Sequence, residues 1–449
     1  MNYDQTNYQA WNISLSDFPK NKSLNEQIKF MVSLGILAPS IHNTQPWKFE
    51  IKDNTLKILP DWKFKLPQAD PDGTNLLISL GCCLTNIECA AAYFNLITRI
   101  SYSGKSEEVS IKITFIPANK TDQKLANLAQ YIPKRYSNKL LYLDKPVPKN
   151  IFAELENIRT ENNLASFTDD KVKITQIAKL QELALKNISK NRNFAKELAF
   201  WLKPNATKSF DGMPGFVAGL KPIQAIVGRP LIAKFPAMFS VLAKRDKLLL
   251  EKSPVVGIIS TSSTDKQSAI NTGRLYERIA LFLFSKGLNC TPMHSVIEDK
   301  VGSKGIVNLY NLKNRIPRFC FRIGYNNNKP FHTPRRKIET FLLNDSSEEN
   351  LAKKLSVKTE INKIQINGCE INYLTAGNGK PLVLIHGGNI GWGQWYPNIP
   401  ELSKKFKIYA LDLVSSGRSS IADFADLDFE KRFSRSDGKI HKEFGVKKN

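Results

Sequence analysis

Apolar side chains at Ile28, Met31, Leu34 and Leu37 recur at helical spacing behind Ser23-Leu24-Asn25-Glu26, a Ser-x-x-Glu capping-box pattern. The period predicts a helix that stops near Pro39, which lacks the N–H that a helix interior needs. Past Pro46 the period changes. Trp47-Lys48-Phe49-Glu50-Ile51 alternates apolar and polar positions, as a half-buried strand does. Two later stretches share one pattern at a constant offset: Ile78-Ser79-Leu80-Gly81 followed by Ile87 and Leu96, and Ile270-Asn271-Thr272-Gly273 followed by Ile279 and Leu288. Each lies on a helical apolar period that ends near a turn, and the pair reads as an internal repeat. Phe216 to Leu242 is apolar and punctuated by Pro222, Pro230 and Pro236. Near the end, Ile364-Gln365-Ile366 and Ile371-Asn372-Tyr373 flank Asn367-Gly368 as a hairpin would. Pro381-Leu382-Val383-Leu384-Ile385 and Phe406 to Leu413 read as buried strands.

The chain has 449 residues. At about 150 residues per domain, that length suggests about three units. A hydrophobic fraction of 42% supplies a sizeable core. The six cysteines show no CxxC or other metal-ligand spacing, so no metal site is expected. Cys82, Cys83 and Cys89 fall on one predicted helix, which implies buried thiols. The polar start Met1-Asn2-Tyr3-Asp4-Gln5 lacks the charged and apolar regions of a signal peptide, and no stretch reaches the unbroken apolar length of a membrane span. A cytoplasmic location is expected. The net charge of +24 comes from lysines spread along the whole chain, without a helix-turn-helix, zinc finger or basic helix, and no nucleic-acid partner is expected.

The turn between the first helix and strand, Ala38-Pro39-Ser40-Ile41-His42-Asn43-Thr44-Gln45-Pro46-Trp47, is crowded with hydroxyl and amide groups. These could cap their own backbone or meet an oxygen-rich ligand. The decamer resembles the flavin-contacting turn of the nitroreductase family, FMN-dependent oxidoreductases that work as intertwined dimers. Three further motifs resemble that family in the same order. Arg135-Tyr136-Ser137-Asn138-Lys139 is similar to its Arg-x-Ser-x-Lys/Arg phosphate grip. Thr291-Pro292-Met293-His294 is similar to the segment passing the flavin edge, and Thr333-Pro334-Arg335-Arg336 to the late basic pair that closes on the phosphate.

The resemblance implies an α+β fold, nitroreductase-like and duplicated within one chain as a covalent pseudo-dimer. Residues 1–130 would form the first lobe and 131–345 the second. The first lobe would offer Ser40, Asn43 and Gln45 to one FMN. The second would offer Arg135, Ser137, Lys139, Pro292, Met293, His294, Arg335 and Arg336. The symmetry-related site looks lost, since no second Asn-x-Gln-Pro-Trp exists; Asp211-Gly212-Met213-Pro214-Gly215 stands instead and resembles the two-lobed branch of the family. Phe216 to Leu242 would act as a lid or lobe-bridging segment, with contact to a membrane surface through its apolar face and Lys221, Arg229 and Lys234 as the other reading.

Asp345 to Leu355 is polar, and residues 346–356 read as a linker. Residues 357–420 resemble the opening strands of an α/β-hydrolase, with His386-Gly387-Gly388 in the place of the oxyanion-hole loop. The chain contains no Gly-x-Ser-x-Gly elbow, so this incomplete, truncated fragment has no nucleophile and no hydrolase activity is expected. A sheet cut there would expose an edge. Residues 421–449 form an unassigned basic tail.

The function implied is an FMN oxidoreductase that takes hydride from NADH or NADPH and reduces a small nitroaromatic or quinone-like acceptor. The alternative is an FMN-binding protein whose lid blocks turnover. The flavin would carry the chemistry, with His42 and His294 as candidate proton donors.

Overall fold

The computed structural model describes residues 6–52, 54–104, 108–235, 238–328, 331–343, 352, 355–366, 369–387, 391–413 and 419. The chain divides into two units, Met1–Phe341 and Leu342–Asn449. The predicted turn at Asn367-Gly368, most of the predicted linker and the basic tail lie outside the described residues.

The first unit opens with α1 (Leu24–Gly35), capped as its sequence predicts: Ser23 Oγ accepts from Glu26 N and Glu26 Oε2 accepts from Ser23 N. Strands β1 (Trp47–Lys52) and β2 (Thr55–Pro60) follow, then α2 (Thr74–Tyr93), β3 (Leu96–Ser103) and β4 (Ser110–Pro117). They form an antiparallel sheet in the order β1-β2-β4-β3. Trp47 and Phe49 point inward from β1, as the alternation predicts. After α3 (Gln123–Leu128) the chain builds a second sheet on the same plan. The order of elements is α4 (Lys149–Glu156), β5 (Asn163–Thr168), α5 (Lys171–Ile188), α6 (Arg192–Trp201), β6 (Leu202–Lys203), β7 (Met213–Pro214), α7 (Pro222–Lys234), α8 (Met238–Glu251), β8 (Val255–Thr261), α9 (Lys266–Ser285), β9 (Asn289–Pro292), α10 (Ser295–Glu298), α11 (Lys300–Tyr310) and β10 (Ile316–Gly324).

The second sheet runs β5-β8-β10-β9, antiparallel throughout. Both sheets therefore place their strands first, second, fourth, third, with a long helix between second and third. Where the first sheet has a tight hairpin between β1 and β2, the second inserts α5 to α8. Ile174 and Ile177 of α5 and Leu249 and Leu250 of α8 pack on Val256, Ile258 and Cys320 of the sheet.

The two long helices cross at the repeated glycines. Every residue of α2 from Asn75 to Ala92 is buried, which is why this segment reads as apolar on all sides. A Cβ on Gly81 would lie 1.9 Å from Ile270 O, and one on Gly273 would lie 1.8 Å from Ile78 O. The contact is reciprocal: each glycine meets the carbonyl of the residue that opens the other motif. Glu88 of α2 closes the crossing by ion pairs to Arg274 at 2.6 Å and Arg278 at 3.2 Å on α9.

From β10 the chain returns to the first sheet, where Phe49 N donates to Phe341 O and Lys48 Nζ to Thr340 O. One expectation needs correcting. Proline does not break the 216–242 stretch at position 230: α7 runs through Pro230.

The second unit contains β11 (Thr359–Ile366), β12 (Cys369–Ala376), β13 (Lys380–Ile385), α12 (Ile399–Leu402) and β14 (Phe406–Leu411). Its sheet runs β11-β12-β14-β13, with β13 parallel to β14 and the other pairs antiparallel. Trp392, Ile399, Leu374, Ile408 and Ala410 form its core. Strand β13 is an edge, and Ile385 at its end is exposed.

Candidate functional site

The turn after α1 is held in a backbone conformation that its residues rarely adopt. His42, Asn43 and Gln45 all have positive φ, at 47°, 58° and 51°. Left-handed backbone costs a non-glycine residue on the order of 1 kcal/mol, and surrounding structure must over-determine it. Here it does. Ser40 Oγ accepts from Gln45 N at 2.9 Å, and Ser79 Oγ accepts from Ile41 N at 3.2 Å. Asn43 Nδ2 donates to Gly212 O and to Pro334 O, both at 3.0 Å. Gln45 Nε2 donates to Phe210 O at 2.8 Å, while its Oε1 accepts from Arg336 N at 2.9 Å.

The amides predicted to meet a cofactor are thus spent as brackets. They hold the turn between residues 210–212 and residues 334–336. Arg336 completes the clasp by an ion pair to Asp211 at 2.6 Å, its guanidinium 3.8 Å from the Phe64 ring centre.

Arg135 and Arg335 are engaged in the same way. Arg335 is buried and spends its donors on Ile36 O, Leu37 O and Ala38 O, and on Asn43 Oδ1 and Thr333 Oγ1. These carbonyls at the end of α1 have no helical partner, so the guanidinium acts as a C-terminal cap. Burial and the neighbouring Arg135 charge lower Arg335 to about 9. Arg135 Nε pairs with Glu277 of α9 at 2.9 Å, and its Nη2 donates to Leu37 O. Burial pushes the Glu277 carboxyl up to about 7 against the pull of Arg135.

Other predicted residues keep unspent polar atoms. The one bond of the Lys139 ammonium recorded among the described residues is a weak one to Met213 Sδ at 3.5 Å, and burial lowers its pKa. His42 Nε2 and Thr44 Oγ1 are buried without a hydrogen-bond partner among the described residues. Burial, and then the Lys139 charge, bring His42 down to about 3. Ser137 is half-buried on the same loop as Lys139. An orphaned buried polar atom carries a desolvation cost that a ligand can recover.

The stretch 292–294 is divided in role. Pro292 pairs with Phe321 in the sheet, and Met293 N donates to Cys320 O. The Met293 side chain packs in the core with Val296 and Cys320. His294 packs its ring 4.9 Å from Phe319; burial lowers it to about 4, and its Nδ1 has no hydrogen-bond partner among the described residues.

Sequence reasoning missed two buried charges. Arg322, fully buried, donates to Asn138 O and Leu140 O at 2.7 Å and so fixes the loop carrying Lys139. Glu277 anchors Arg135. Arg322 has a signal in the chain, a charge inside the apolar run Phe319-Cys320-Phe321-Arg322-Ile323, whereas Glu277 stands between Arg274 and Arg278 and reads like an ordinary charged stretch. Among the described residues no cluster of His, Cys, Asp or Glu could hold a metal ion.

In the second unit, His386 Nε2 accepts from Leu413 N at 3.0 Å, and Asp412 accepts from Asn372 Nδ2 and Trp392 N. These groups tie strand ends together.

No protein-family model matches the chain. A provisionally named NAD(P)H nitroreductase of Mycobacterium tuberculosis is 22% identical over 283 residues, covering 61% of this chain and 77% of that protein. A soluble epoxide hydrolase of Corynebacterium sp. is 45% identical over 65 residues, which is 14% of this chain and 23% of that enzyme. Among solved structures, an FMN-dependent nitroreductase of Mycobacterium smegmatis in complex with NADPH matches with a TM-score of 0.30 and 13% identity, covering 45% of this chain and 89% of that one.

Proposed function

We propose that residues 1–341 form an FMN-dependent NAD(P)H oxidoreductase of nitroreductase type. Two lobes in one chain would form a covalent pseudo-dimer with one flavin site, acting on a small nitroaromatic or quinone-like acceptor in the cytoplasm. One observation carries the reading. The left-handed turn 40–45, the loop 135–139, the segment 209–215 and the pair 335–336 converge although they lie far apart in sequence, and they leave His42 Nε2, Thr44 Oγ1 and Lys139 Nζ with little or nothing to bond. The reciprocal glycine crossing and the shared strand order support the duplication. The nitroreductase names among the relatives support the flavin and the nicotinamide donor.

The donor set fits a phosphorylated, oxygen-rich cofactor. Lys139 and Ser137 would hold the phosphate, because the guanidinium of Arg335 is spent on carbonyls and that of Arg135 on Glu277 and Leu37. Thr44 Oγ1 and His42 Nε2 would meet polar groups of the cofactor from the first lobe. Bound FMN supplies the hydride and electron transfer. The chain's own residues orient it and exclude water. With His42 and His294 both held neutral at pH 7, each can donate or accept only through a ring nitrogen, and neither brings a positive charge to the acceptor.

A second reading has its own observation. The Arg336–Asp211 ion pair and the two Asn43–Gly212 hydrogen bonds fasten segment 209–215 across the turn. If that clasp stays shut the protein stores FMN without turnover. Anaerobic titration of the yellow holoprotein with NADPH separates the two. Bleaching of about one flavin per chain supports the oxidoreductase, an unbleached flavin the storage reading, and a colourless protein indifferent to FMN refutes both.

A further inference from the structure

Between Gly212 and Arg245 the chain carries no Asp or Glu, yet it holds Lys221, Arg229, Lys234, Lys244 and Arg245. Helix α7 lies in this acid-free stretch and is apolar around its circumference. Ala225 and Ile232 face the protein, Ile232 packing with Phe194, Trp201 and Phe239. On the other side Ile223, Ile226, Val227 and Pro230 follow the i, i+3, i+4, i+7 spacing of a single face. That face is open: Ile223 is 75% exposed, Ile226 59% and Val227 48%. Phe235, just past the helix, is 55% exposed, and Val241 on α8 is 61% exposed. Isolated exposed apolar residues are ordinary, whereas a contiguous row marks an interaction surface.

The charges around the row identify its occupant. Lys221 and Lys234 are exposed at the two ends of the face, and Lys244 is exposed one turn beyond Val241. A second copy laid face to face would set these cations against their equals. An anionic surface would pair with all of them. The 13 residues of α7 span about 20 Å, too short for a hydrocarbon core of about 30 Å. The described helix that is long and apolar enough to cross a bilayer, α2, is buried inside the protein.

We propose that α7, with Phe235 and the start of α8, docks in the plane of an anionic lipid bilayer. Ile223, Ile226, Val227 and Phe235 enter the boundary of the acyl chains while Lys221, Lys234 and Lys244 meet headgroup phosphates. Apolar insertion and electrostatic attraction then act together, as peripheral attachment requires. Three cations near the surface give a preference for anionic over neutral membranes on the order of 100-fold. This proposal is independent of the flavin reading, because it uses none of the residues assigned to the site.

The test is flotation of the full chain with vesicles of phosphatidylcholine alone and of phosphatidylcholine with phosphatidylglycerol, at low salt and in 0.5 M NaCl, with light scattering for mass. Binding to the anionic vesicles, weakened by salt, is expected. Ile226→Asp should reduce it roughly tenfold or more. Lys221→Glu with Lys234→Glu should abolish the lipid preference, and unchanged thermal melts would show that each variant folds. Failure to float, or equal binding to both vesicle types, overturns the proposal. So does a dimer that Ile226→Asp dissociates, since a second copy would then cover the face.

Discussion

Replacing Gly273 by alanine is the sharpest test of the helix crossing. The new Cβ would sit 1.8 Å from Ile78 O and 2.7 Å from its carbonyl carbon. These are backbone atoms, so no rotamer change relieves the clash, and α2 and α9 must part by roughly 1.5 Å to restore van der Waals contact. Interiors are packed too closely to absorb that shift locally; over-packing costs about 1–3 kcal/mol, and the gap opened alongside adds about 2 kcal/mol. The better helix propensity of alanine returns about 1 kcal/mol. The net expected loss is about 2–4 kcal/mol, read as a shift of the urea midpoint in far-UV circular dichroism. Gly81→Ala should behave alike, since its Cβ would lie 1.9 Å from Ile270 O. One separation of the helices relieves both clashes, so the double variant should lose at least about 1 kcal/mol less than the sum of the single losses. A loss under about 0.5 kcal/mol for Gly273→Ala, or additivity in the double variant, would refute the reciprocal crossing.

Four further outcomes are expected. Lys139→Met should weaken FMN binding by about 1.5–3 kcal/mol and leave riboflavin binding nearly unchanged, because only a phosphate contact is removed; equal losses in calorimetry would move the phosphate elsewhere. Arg335→Ala should instead lower thermal stability and weaken both flavins alike, as it uncaps Ile36 to Ala38. Glu277 is raised in the folded state from 4.5 to about 7, so its contribution to stability is present below its unfolded pKa and is lost as pH rises through about 7. The stability of the native chain relative to Glu277→Gln should accordingly fall by about 2–3 kcal/mol between pH 4.5 and 8, a comparison in which the histidine titrations cancel. A chain ending at residue 345 should keep its flavin, and the intact chain should lack esterase activity; p-nitrophenyl ester turnover sensitive to His386→Ala would contradict the structural role of that imidazole.

What the sequence made legible is what local chemistry decides. The Ser23/Glu26 cap and the alternation from Trp47 to Ile51 act through neighbours within a turn or a strand, and the structure keeps both; the glycine motifs are legible as a repeat, although the contact they make joins two helices far apart in sequence. In the candidate site, Arg135 and Arg335 both reach Leu37 O just before the turn, and Arg336 N donates to Gln45. Their division of labour was not legible. Asn43, Gln45 and Arg335 have the right chemistry to grip a cofactor, yet that chemistry equally suits carbonyls 165 to 299 residues away in sequence, and only the tertiary fold decides between them. Continuation of α7 through Pro230 likewise rests on packing rather than propensity.

The long reach of Arg335 has a consequence for the order in which the protein is made. Its bonds to Ile36, Leu37 and Ala38 span about 298 residues, so the strained turn stays only half clasped until nearly the whole first unit has been synthesised. A nascent chain halted before Thr333 can pair β1 with β2 and β3 with β4 and can tie the turn to Ser40, Ser79, Phe210 and Gly212, but it lacks the half of the clasp that Pro334, Arg335 and Arg336 supply to Asn43 and Gln45. Contacts of such sequence separation form late, after the loop entropy between them has been overcome. Flavin capture by ribosome-bound chains of increasing length should therefore switch on abruptly at the emergence of Arg336, which makes the cofactor a reporter of completed assembly.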